Sequence, residues 1–187
     1  MYENENSNKC KIIQDKNGIK FFKKNKNNFS LSFTIENKNY LLSSIVDFEL
    51  LNLIYKLNGD IYESCNMEKI TENETNITLV MRKVFLDLLT QKYAYFNIKK
   101  ENCENFTIFH SKIIKSHRPM DINKKLELVD VESIVNKFEF INNHKINVVC
   151  EFVFSDNIAV PTMVEKIFAT LINKMFVRFK NFIENLN

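Results

Sequence analysis

PTMVEKIFATLINKMFVRFKNFIENL, residues 161–186, carries the strongest periodic signal in the chain. Val164, Ile167, Phe168, Leu171, Ile172, Met175, Phe179, Phe182, Ile183 and Leu186 recur at steps of one, three and four. That is the period of an amphipathic helix with one apolar stripe. Pro161 stands where a proline fits the first helical position. A stripe of about six turns needs a large complementary apolar surface. A broad antiparallel sheet supplies one.

The residues before the helix alternate with period two. Phe138 and Phe140 lead into Asn142-Asn143-His144-Lys145, and then Ile146, Val148, Cys150, Phe152 and Phe154 alternate again. This predicts a hairpin with one buried face. The same alternation occurs early, with Phe29, Leu31, Phe33 and Ile35 interleaved with Ser30, Ser32 and Thr34. Tyr40, Leu41, Leu42, Ile45 and Val46 read as a short helix. Asp47 starts a second through Phe48, Leu50, Leu51, Ile54 and Tyr55, closing near Gly59. Strands are expected over 61–70, 76–86, 92–100 and 106–115, with a loop around Pro119. The order defines an α+β fold: a curved antiparallel sheet of six or seven strands around one long C-terminal helix, with two short helices after the first strand.

Composition narrows the function classes. With 187 residues the chain fits a single domain. Only 2 Gly and 2 Pro occur, so the glycine-rich phosphate loops are excluded. Cys10, Cys65, Cys103 and Cys150 are dispersed with no CxxC pair, which points to a reducing compartment and to neither a zinc ribbon nor a disulfide framework. His110, His117 and His144 show no HExxH spacing, and no metal site is expected. No uncharged apolar run approaches the roughly 18 residues a membrane span needs, so a soluble or peripheral protein is expected. Net charge is +3, too even to call for DNA. One basic cluster stands out, namely Lys9, Lys11, Lys16, Lys20, Lys23, Lys24 and Lys26. Residues 1–28 are therefore read as a polar, mobile, Lys-rich segment anchored through Ile12, Ile13, Phe21 or Phe22, and 29–187 as the folded domain. The segment suits an anionic membrane surface or an import sequence.

The C-terminal third carries a resemblance. Ile134-Val135-Asn136-Lys137-Phe138-Glu139-Phe140, then Ile146-x-Val148-x-Cys150-x-Phe152-x-Phe154, then the Phe-rich helix, are similar to the coenzyme Q-binding START-like family, of the polyketide cyclase and lipid-transport superfamily. Phe29 to Ile35, Leu41 to Val46 and Asp47 resemble that family's first strand, helix and following Asp, and Phe85 through Tyr93 a middle strand pair. Two departures stand out. Tyr55-Lys56-Leu57 replaces the family's Pro-Trp-Cys, and Phe138 replaces its hairpin Trp, losing an indole N–H donor.

The resemblance implies a helix-grip fold and a non-catalytic carrier of an isoprenoid lipid, most naturally coenzyme Q (ubiquinone), with no required cofactor. It further implies support of ubiquinone biosynthesis and respiration at the matrix side of the mitochondrial inner membrane. Phe33, Phe85, Tyr93, Phe109, Phe138, Phe152, Phe168, Leu171 and Met175 are the candidate cavity wall, each of which could instead serve plain core packing. Lys166, Lys174 and Arg178 join the basic segment as candidates for anionic lipid. Two alternatives stand beside this: a ribosome- or RNA-binding module using the basic segment, and an enzyme using Asp47, Asp87 or His110, for which no partnering pattern exists.

Overall fold

The computed structural model describes residues 10–83, 90–116, 118–119, 122, 125–155 and 162–187. The chain runs β1 (Lys11–Lys16), β2 (Ile19–Lys23), β3 (Asn28–Glu36), α1 (Leu42–Ile45), α2 (Phe48–Lys56), β4 (Tyr62–Thr71), β5 (Glu74–Met81), β6 (Lys92–Cys103), β7 (Phe106–Ile113), β8 (Glu127–Leu128), β9 (Val131–Asn142), β10 (Lys145–Phe154) and α3 (Thr162–Glu184). Among the described residues the strands form one sheet in the order β1-β2-β3-β10-β9-β7-β6-β5-β4, with β8 beside β6. The neighbours on the main path are antiparallel, and the β6–β8 pair is parallel.

The early alternating strand and the late hairpin meet in the middle of the sheet. Phe29 pairs with Phe152, Leu31 with Cys150 and Phe33 with Val148. Each of these faces inward and is almost wholly buried. Because side chains alternate across a strand, one register turns Phe29, Leu31, Phe33 and Ile35 of β3 and Ile146, Val148, Cys150 and Phe152 of β10 to the same buried face. Fully burying a Phe of this kind stabilises by about 1.5–3 kcal/mol.

α3 packs against β1, β2, β3 and α2. Its buried face carries Ala169, Ile172, Met175, Phe176, Phe179 and Ile183. Asn37 closes its C-terminal end, with Nδ2 donating to the carbonyls of Ile183 at 2.6 Å and Leu186 at 3.0 Å. The Ile183 carbonyl also accepts from the Leu186 N–H at 3.4 Å, just past the end of the helix. Pro161 lies outside the described residues. Asp47 starts α2 as expected, its Oδ1 accepting from the Leu50 N–H at 2.9 Å.

The structure departs from expectation at one edge. Residues 11–23, expected as mobile, form β1 and β2, while Ile19 and Phe21 are 1% exposed. Asn17 and Gly18 both have positive φ, 57° and 72°. This is the backbone of a two-residue hairpin turn matched to strand twist. In β2 the exposed Lys20 stands between the buried Ile19 and Phe21, so one face turns inward while the Lys20 ammonium stays in water. Lys23 pairs with Glu165 on α3, and Lys24 with Glu151 on β10. The strand count is thus ten rather than six or seven; β1, β2 and the two-residue β8 are the additions.

Candidate functional site

A cavity of about 90 Å³ lies between the sheet, α2 and α3. α2 contributes Leu51, Ile54 and Tyr55, and α3 contributes Phe168, Ile172, Met175 and Phe176. The sheet side comes from Tyr62, Leu79, Met81, Ala94 and Phe96 on β4 to β6, and from Ile134, Asn136 and Phe152 on β9 and β10. The wall follows from the folding pattern. Leu51, Ile54 and Tyr55 occupy one face of α2, and Ile134 and Asn136 follow one another on the inward side of β9.

The lining is apolar with three uncharged polar groups, the Asn136 amide and the hydroxyls of Tyr55 and Tyr62. The Tyr62 hydroxyl donates to Met175 Sδ at 3.6 Å, and its ring stands edge-on to Tyr55 with centroids 5.3 Å apart. Burial pushes both phenol groups well above their ordinary range, so they remain neutral donors at physiological pH. None of the residues lining the cavity is acidic, basic or a histidine.

Of the nine residues predicted for the wall, Phe152, Phe168 and Met175 line this cavity. The others sit elsewhere. Phe33 is buried against Phe176, with ring centroids 5.4 Å apart. Phe109 and Phe138 pack edge to face at 5.8 Å, with Phe48 on the other side of Phe109. Leu171 is partly buried against the main core. Tyr93 belongs to a separate cluster with Val80 and Ile122, and the Arg118 guanidinium lies 4.8 Å over its ring. Phe85 lies outside the described residues. Helix periodicity could have placed Leu51, Ile54 and Tyr55. Asn136 carried a signal as well, a polar residue on an inward alternation, hidden by the abundance of Asn in this chain.

The residues considered for catalysis are not gathered. Asp47 is occupied as a helix cap. His110 is exposed on the face of β7 opposite Phe109, with Nε2 3.7 Å from a Glu101 oxygen. Asp87 lies outside the described residues. The Cys65 thiol, raised to about 11 by burial, and Cys150, raised further, are protonated and not nucleophilic near neutrality. Among the described residues no three His, Cys, Asp or Glu side chains group as metal ligands. Lys174 and Arg178, considered for lipid contact, both pair with Asp60.

No family model and no curated protein matches the sequence. Solved structures do match over nearly the whole chain. Human StAR-related lipid transfer protein 5 superposes with a TM-score of 0.71 at 10% identity, covering 97% of this chain and 89% of that one. The lipid transfer and protein localization domain of human StarD13 gives 0.71 at 10% identity, covering 95% and 90%. A STAR-related lipid transfer protein from Xanthomonas axonopodis gives 0.65 at 12%, covering 93% and 98%. The fold is therefore the START-like helix-grip fold: a curved antiparallel sheet closed by a long C-terminal helix.

Proposed function

We propose that this protein is a non-catalytic carrier of a neutral hydrophobic lipid, held between α2, α3 and the sheet. The observation that carries the reading is an interior space with an apolar wall and only uncharged polar groups. Such a lining lowers the free energy of an apolar tail by about 25 cal/mol per Å² removed from water. An anionic head group gains nothing there, because an unpaired buried charge is costly. The names of the matching structures, lipid transfer proteins, point the same way.

Within that class we take coenzyme Q as the first ligand to test. Its ring carbonyls are neutral acceptors and its tail is entirely apolar. The present space of about 90 Å³ is below the roughly 300–1,000 Å³ of common ligand pockets. A long isoprenoid therefore requires α2 and α3 to move apart on loading. Mitochondrial placement and contact with an anionic membrane belong to the same proposal. Ile12 is exposed beside Lys11 on β1, and Lys16 and Lys20 stand further along the same hairpin, which would suit such a surface.

Native mass spectrometry and solvent extraction of the purified chain test this. A stoichiometric neutral lipid, exchangeable for added ubiquinone, is the expected result. A chain that carries no lipid and takes up neither ubiquinone nor a simpler isoprenoid would overturn it.

A further inference from the structure

Asn136 is the one amide of the cavity wall, and its surroundings are apolar on both sides. In the sheet register it stands opposite Cys150 on β10 and opposite Phe109 on β7, both completely buried. Ile134 and Phe138 flank it on the same face of β9. Asn136 itself is 6% exposed, and that residual surface opens into the cavity. Among the described residues its side chain makes no hydrogen bond. An amide that borders the cavity without a protein partner is open to one from a bound molecule. A ligand oxygen at this wall gains a hydrogen bond that a hydrocarbon cannot make.

We infer that Asn136 is the specificity-determining group of this cavity, and that it selects lipids ending in a hydroxyl or carbonyl oxygen over plain hydrocarbons of the same size. The inference rests on the carrier reading and names its ligand class. The carboxamide offers two N–H donors and a carbonyl acceptor. It therefore satisfies a carbonyl through donation and a hydroxyl through both roles. The Tyr55 hydroxyl shares the wall and adds a donor, the Tyr62 oxygen adds an acceptor while its O–H is held by Met175 Sδ, and no cation lines the cavity to hold a carboxylate or phosphate.

The experiment uses the full chain and three matched probes: farnesol, the hydrocarbon farnesene and farnesoic acid, each displacing a neutral naphthylamine dye at neutral pH. The wild type should prefer farnesol over farnesene by about tenfold, the range of one hydrogen bond to a buried group. It should also reject farnesoate. Asn136→Leu replaces the amide with an apolar group of similar size, so it should fold, keep the dye and bind both neutral probes equally. Asn136→Met gives the same comparison should the leucine variant fail to fold.

A preference that survives in a folded variant, or no preference in the wild type, overturns the assignment of Asn136 while leaving the carrier reading intact. A wild type that takes up neither dye nor any probe overturns both.

Discussion

Arg178 on α3 donates to Asn58 Oδ1 at 3.0 Å, and Asn58 is itself completely buried beyond the end of α2. Asn58 Nδ2 donates in turn to the Ile54 carbonyl at 2.7 Å. The same guanidinium forks onto Asp60, and Lys174 reaches Asp60 Oδ2 at 2.5 Å. These contacts tie α3 to the turn between α2 and β4, beside the cavity residues Tyr55, Tyr62 and Met175. They form a polar latch at the edge of an apolar space.

The latch should show in acid and in exchange rates. Hydrogen bonds from Arg178 and then Lys174 hold the Asp60 carboxyl well below the usual carboxylate range. A depressed carboxyl contributes stability that is present above its unfolded value near 3.9 and lost as pH falls toward its folded value. The site is partly exposed, so solvent screening limits the gain to about 1 kcal/mol or less. Asp60→Asn should therefore lower the unfolding midpoint slightly at pH 7, with the difference from wild type shrinking in strong acid. It should also speed dye exchange. Thermal melts across pH and stopped-flow displacement check the two effects.

Phe168 separates wall from core. Its ring meets Phe152 at 5.4 Å and Phe154 at 5.1 Å, with Phe21 and Phe29 on its other flank. Phe168→Ala should enlarge the cavity and shift preference toward bulkier lipids, at a cost of about 3 kcal/mol, the low end for a Phe because its ring is only partly buried. Phe179→Ala, at a position 0% exposed and away from the cavity wall, should cost about 3–5 kcal/mol without that shift. Urea unfolding and size-graded isoprenoid binding distinguish the pair.

Gly18 sits at φ 72° with open space around it. Gly18→Val should cost roughly 1–2 kcal/mol through backbone strain alone, since no neighbour is struck. The β1–β2 pairing should loosen first. Hydrogen exchange at Phe21 and Phe22 is the measurement, and unchanged protection there would contradict the turn assignment.

Thiol reactivity should follow burial. Cys10 is exposed, Cys150 buried, and burial lifts the Cys65 thiol to about 11. A disulfide reagent at pH 8 should label Cys10 well before Cys65, and Cys150 only on unfolding. Mass mapping of a time course reads the order.

Much of the fold was legible because its strongest signals are long and periodic. Phe29 to Ile35, Phe138 to Phe154 and the α3 stripe each repeat one pattern over several residues, and together they form the centre of the molecule. β1 and β2 were obscured by their lysines, although Asn17-Gly18 is a strong hairpin signal. β8 is only two residues long and pairs in parallel, so no local pattern announces it. The site was harder. In a core with 17 Phe, aromaticity does not separate wall from filling. Phe109 and Phe138 bury each other, whereas Phe152 and Phe168 border space, and only the crossing of α3 over the sheet decides between them. Asn136 was readable in principle as the polar exception on an apolar face.

The claim that the lipid lies between α2, α3 and the sheet is tested most directly by isotope-filtered NMR with labelled methyl groups. Bound farnesol or ubiquinone should give cross-peaks to the methyls of Ile54, Ile172 and Met175. Contacts confined to the open groove beside Ile45, Leu53 and Phe182, with those three methyls silent, would contradict it.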